Sequence, residues 1–146
     1  MTEYAVPGVG GWVRFWHIAA AQHPVEIILA RGFVSNLATP AFLVAADGTL
    51  VFYNEAAAGL LGMAFEEAGP MSAREWSTRF LPAAPDGHEL ALEETPLWIA
   101  LNESRPAHSK LTIQDASGEE RMIEATAFPV VGNEGQSGAI AIFWGV

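Results

Sequence analysis

The chain has 146 residues, no cysteine, and 17 acidic against 7 basic residues, for a formal charge of −10. One domain of this length buries a core without disulfide or metal staples, and a hydrophobic share of 51% argues against disorder. The missing cysteine excludes disulfide scaffolds, thiolate metal sites, cysteine nucleophiles and cysteine-linked chromophores, and the acidic balance argues against a nucleic-acid surface.

The charge is unevenly placed. Residues 1–40 balance Glu3 and Glu26 against Arg14 and Arg31, whereas residues 41–146 hold fifteen acids and five bases and so carry the whole net charge. No uncharged stretch approaches the ~18 apolar residues of a spanning helix. The N-terminus lacks the basic segment and apolar run of a signal peptide. These features predict a cytoplasmic protein with no membrane partner.

Pro7, Gly8 and Gly10 read as a loose lead-in. Trp12, Phe15, Trp16 and Ala19 then fall at i, i+3, i+4 and i+7, one stripe of a helix expected to dock on the core or on a second subunit. Arg14 alone gives that helix no basic face for a membrane surface. The next helix spans residues 24–38: Pro24 suits the first position and Thr39-Pro40 stops it. It is apolar nearly all round, with Val25, Ile28 and Leu29 on one side and Ile27, Ala30, Val34 and Leu37 on another. Such a helix is covered on several sides, in a chain this short by another copy of itself among others. Residues 1–38 therefore read as a dimerisation arm, with Trp12, Phe15, Trp16, Ile27, Ile28 and Val34 as interface candidates, and residues 39–146 as the core.

Two apolar runs, 41–45 and 50–54, flank Asp47-Gly48, a strong hairpin signal. Asn54 is placed to cap a helix over 55–61 that Gly62 ends. Short helical pieces follow, the firmest over 73–80 with Trp76 and Phe80 one turn apart. A Pro/Gly-bounded loop over 82–95 leads to Thr95-Pro96 and a helix through Asn102, with Leu97, Ala100 and Leu101 on one face. Three strands close the chain. Residues 107–114 alternate, with Leu111 and Ile113 on one side, so this strand reads as an edge or a part-exposed strand; 121–129 put Ile123, Ala125 and Ala127 on one face; 137–144 are apolar without alternation and belong in the sheet centre. The expected architecture is α+β: a five-stranded antiparallel sheet, short helices on one face, the N-terminal helix outside that layer, and the last strand beside the first.

The run Phe42 to Asn54, with Asp47-Gly48 at its centre, resembles the opening hairpin of the PAS domain family. Ala56 to Gly62, Asp86-Gly87, Thr95-Pro96-Leu97, Phe128-Pro129 and Gly138 to Phe143 resemble its later segments in order and spacing, over about residues 33–146. The resemblance implies a sensory or interaction module of bacterial type, often dimeric through a helix preceding the core. It also implies a pocket between sheet and helices that holds a cofactor, a metabolite or nothing. Without cysteine, both covalent light-sensing chemistries of the family are excluded. Non-covalent flavin stays open. So does haem, although the helix over 96–102 carries no histidine and His88 and His108 flank it. No cofactor is predicted. The few cations disfavour an anionic ligand, whereas an apolar one suits Trp76, Phe80, Leu97, Ala100, Leu101, Leu111, Ile113, Ile123 and Phe143. With Asn54 these are the pocket candidates, and the same set also describes a filled core.

No metal ligand set or catalytic group is predicted: Asp86, His88, Glu89, Glu93 and Glu94 read as a solvated loop. A small pocket enzyme would need Glu124, the only acid inside a core strand, to be buried in a cavity. The reading is a non-enzymatic regulatory sensor or interaction module, a homodimer that signals through a partner protein and binds an apolar small molecule. A flavin or haem sensor is the alternative.

Overall fold

The computed structural model describes residues 24–146. Helix α1 (Val25–Ser35) leads into the hairpin β1 (Ala41–Ala45) and β2 (Leu50–Tyr53). Short helices α2 (Glu55–Leu61), α3 (Phe65–Ala68) and α4 (Ala73–Phe80) follow. A single 3₁₀ turn (Leu92–Glu94) precedes α5 (Pro96–Glu103), and the chain ends in the meander β3 (Ala107–Gln114), β4 (Glu120–Gly132) and β5 (Gly135–Gly145).

The strands form one antiparallel sheet in the order β2-β1-β5-β4-β3. The expected return of the last strand beside the first is observed, with Ala41 opposite Ile142 and Ala45 opposite Gly138. This puts the two most apolar strands in the middle, where both faces are covered. Both sheet edges are partly blunted by backbone bridges, Leu50 with Met71 at β2 and Ala83 with Thr112 at β3. Pro129 lies past the end of the β3–β4 ladder, which stops at Ala107–Ala127, so its missing N–H costs no bond on that side.

Local chemistry sets the helix ends. Ser72 and Glu75 form a reciprocal capping box on α4, Thr95 caps α5 ahead of Pro96, and Gly62 closes α2 in the left-handed conformation at φ 82°. Side-chain alternation then divides the core. One sheet face carries Phe42, Ile123, Ala125, Ala141 and Phe143 toward α4 and α5. The other carries Leu43 and Ile140 toward α1, whose Ile27, Ala30 and Val34 join the same buried cluster. Helix α1 is packed so closely that Gly138 has no room for a Cβ: one built there meets the Val44 carbonyl oxygen and lies 2.7 Å from Ile27 Cδ1. Glu26 extends the contact by accepting the Ser137 hydroxyl at 2.9 Å, and Arg31 lies 4.4 Å over the Phe52 ring.

Two sequence expectations for the dimer interface change here. Ile27 and Val34 are buried inside the protomer, because they face the sheet. Ile28 stays on the surface, joined by Val25, Leu29 and Phe33, which are 52–68% exposed as a group. Trp12, Phe15 and Trp16 lie outside the described residues.

Candidate functional site

Between the sheet and the helices lies a cavity of about 60 Å³. Its floor comes from alternate residues of four strands: Phe42 of β1; Leu111 and Ile113 of β3; Ile123 and Ala125 of β4; Ala141 and Phe143 of β5. Its roof comes from Trp76 and Phe80 at i and i+4 on α4, Pro96 and Leu97 in the first turn of α5, and Pro82 and Thr95 between the two helices. Phe42 sits at the centre of the aromatic packing, with ring centroids 5.1 Å from Phe143 and 5.6 Å from both Phe80 and Tyr53. The space exists because the floor places alanines, Ala125 and Ala141, opposite the roof aromatics.

The polar groups of the lining are already satisfied. The Trp76 indole N–H donates to the Gly48 carbonyl at 2.9 Å. The Thr95 hydroxyl donates to the Leu92 carbonyl at 2.8 Å and accepts the Trp98 N–H at 3.3 Å. Gly48 is needed at its turn for two reasons: its φ is +89°, and a Cβ would lie 2.8 Å from the Trp98 ring. The β1–β2 turn is thus clamped by one indole from each roof helix. The walls of this cavity offer shape and dispersion alone, and a charged or strongly hydrogen-bonding group would be desolvated there without compensation.

The residues do not fit the large cofactors that the resemblance left open. Flavin or haem needs several hundred Å³, several times this cavity. Haem also needs an axial ligand, and no lining residue is a histidine. His88 lies on an exposed loop, 2.9 Å from Asp86, whose carboxyl is held below its usual range chiefly by the His88 backbone N–H. His108 lies on the opposite face of the sheet, 2.8 Å from Glu124. Glu124 is therefore turned away from the cavity and holds no position for acid–base work there. Among the described residues no group of three or more His, Cys, Asp or Glu is placed to hold a metal.

Seven of the ten predicted pocket residues meet in the cavity: Trp76, Phe80, Leu97 and, on the floor, Leu111, Ile113, Ile123 and Phe143. Ala100 and Leu101 are buried but do not line it. Asn54 is a correction. Its Oδ1 accepts the N–H groups of Ala57 (2.9 Å) and Ala41 (3.1 Å), and its Nδ2 donates to the carbonyls of Thr39 (2.9 Å) and Val34 (3.1 Å). A buried amide with four such partners has nothing left for a ligand. It joins the end of α1, the start of β1 and the start of α2. Six lining residues are absent from the predicted set: Phe42, Ala125 and Ala141 on the floor, and Pro82, Thr95 and Pro96 in the roof. For the floor residues, period-two alternation with Val44, Ile123 and Phe143 was the available signal.

A model described as "PAS fold" matches residues 34–146. No curated protein sequence matches the chain. Among solved structures, the chain is similar to the PAS domain of Bordetella pertussis BvgS (14% identity, TM-score 0.55, covering 83% of this chain and 85% of that one). It is also similar to the PAS domain of nitrogen regulation protein NR(II) from Vibrio parahaemolyticus (15%, 0.56, 81% and 98%). A third similar structure is the Rhodobacter sphaeroides LOV protein (16%, 0.66, 84% and 68%). At these identities the structural likeness bears on the fold.

Proposed function

The chain belongs to the PAS family, and on that premise we propose that it is a cytoplasmic, non-enzymatic regulatory module that binds a small apolar molecule between sheet and helices and signals as a homodimer through a partner protein. The sensory fold is the family's own; the ligand, the dimer and the partner are our reading. The observation that carries it is the cavity itself, walled on both sides by apolar side chains whose polar atoms are already paired. An occupied cavity gains apolar contact at no hydrogen-bond cost.

Support for the dimer comes from the opposite sheet face. Helix α1 spends Ile27, Ala30 and Val34 on its own sheet and leaves Val25, Ile28, Leu29 and Phe33 exposed on its far side. Four large apolar side chains on three turns form a patch that monomeric proteins seldom leave uncovered. A second copy would cover it isologously, and residues 1–38 remain the proposed dimerisation element. Gel filtration with light scattering is expected to give twice the chain mass for the intact protein and the single mass for Ile28→Asp/Leu29→Asp. A monomeric intact chain would remove the dimer from this reading. Native mass spectrometry of protein from its own host is expected to reveal a bound neutral molecule.

A further inference from the structure

The cavity and a second, polar space share one lining residue, Phe80. Phe80 lines the cavity on one side and, on the other, a crevice of about 290 Å³ that also includes Tyr53, Met63, Arg79, Gln114 and Asp115. The backbone immediately behind this residue is strained. Leu81, the residue after Phe80, ends α4 in the left-handed region at φ 45° and ψ 61°, a conformation that L residues other than Gly and Asn rarely adopt. A helix that stops on such a residue has a last turn that other conformations of Leu81 can relax, and that turn carries Phe80.

The crevice has polar capacity that the cavity lacks. The Tyr53 hydroxyl is spent on the Met63 carbonyl at 2.7 Å. Asp115 accepts from Ser117, Glu119 and Arg121, all at 3.0 Å or less. Among the described residues Arg79, by contrast, donates only to the Met63 sulfur, at 3.3 Å, and the half-buried Gln114 amide makes no side-chain hydrogen bond. Together they offer free donors and one free acceptor. The surrounding charge disfavours an anion: Asp115 is in the wall, Glu66 and Glu67 lie close enough to act on Tyr53, and the body is strongly acidic.

Taking the cavity reading above as given, we propose that the ligand is amphipathic, with a short alkyl chain in the cavity and a neutral head group, an alcohol or carbonyl, in the crevice on Arg79 and Gln114, and that Phe80 swings aside to join the two spaces. Hexane, 1-hexanol and hexanoate separate this from a cavity-only site, because a hydroxyl buried without partners weakens binding relative to the alkane. Titrations followed by calorimetry or Trp76 fluorescence are expected to rank 1-hexanol about tenfold tighter than either of the others. Arg79→Leu and Gln114→Ala are each expected to weaken 1-hexanol several-fold and leave hexane unchanged. Phe80→Ala is expected to speed association; if that variant fails to fold, the two crevice variants still decide the matter. Hexane binding as well as 1-hexanol, or indifference of 1-hexanol to both crevice variants, overturns the head-group assignment and leaves the cavity reading standing. Hexanoate binding tightest overturns the neutral head group. If none of the three binds, the cavity reading falls as well.

Discussion

The two faces of the sheet are built to opposite specifications from the same strands. On β5, Gly138 and Ile140 face α1 and leave it no gap, whereas Ala141 and Phe143 face α4 and α5 and leave a cavity. Residues three apart on one strand thus serve close helix docking and open space. The difference lies in what stands opposite. A glycine opposite a β-branched isoleucine lets a helix settle onto the strand, and an alanine opposite an aromatic roof leaves a hole. The docked face is further pinned by Asn54, and the hollow face by the Trp76 and Trp98 contacts to Gly48. The proposed function makes use of this asymmetry, which holds α1 firmly on one face and leaves space for a ligand on the other.

The largest way to break it is Asn54→Ala. That change removes the cap of α2 and leaves the Thr39 carbonyl and the Ala41 N–H without their partner, so urea unfolding is expected to show a loss of about 3 kcal/mol. A loss below about 1 kcal/mol would mean that water replaces the amide and that α1 is not pinned there. Next comes a paired test on β5. Gly138→Ala is expected to cost about 2 kcal/mol through overpacking against Val44 and Ile27, while Ala141→Val, which grows into the cavity, is expected to stay within about 1 kcal/mol of the parent. Equal costs would erase the distinction between the faces. The smallest effect lies off both faces, at the β3–β4 turn. The hydrogen bonds from Ser117 and then Arg121 hold the Asp115 carboxyl at about 2. Because this folded value lies below the ordinary carboxylate value near 4, its stabilisation is complete above that value and is lost as pH falls toward 2. Asp115→Asn is expected to flatten that limb of the stability–pH curve, and an unchanged limb would assign the acid loss to other carboxylates.

Much of the fold was legible because its signals are local. Asp47-Gly48 between apolar runs, Ser72 with Glu75, Thr95-Pro96 and the alternation of 107–114 each act within a few residues, and each element appears where those residues place it. The glycines of 132–135 mark the turn, but the strand ends were read short: β4 runs on to Gly132 and β5 starts at Gly135, because pairing continues up to the turn through residues with no apolar alternation. The site was legible only in part. Trp76, Phe80 and Leu97 announce a buried face, but a buried face is also what a filled core looks like, and nothing local says which of the two results.

The sequence by itself therefore determined the element order, the family and the exclusion of cysteine chemistry, since these follow from residue identity and near-neighbour spacing. Only the tertiary structure decided three things. It divided the apolar circumference of α1 into a docked face and a free one. It gave Asn54 to the backbone rather than to a ligand. It left Ala125 and Ala141 facing a roof that does not reach them. Each depends on which residues from distant parts of the chain face one another, and contacts between residues far apart in sequence leave no period or motif to read.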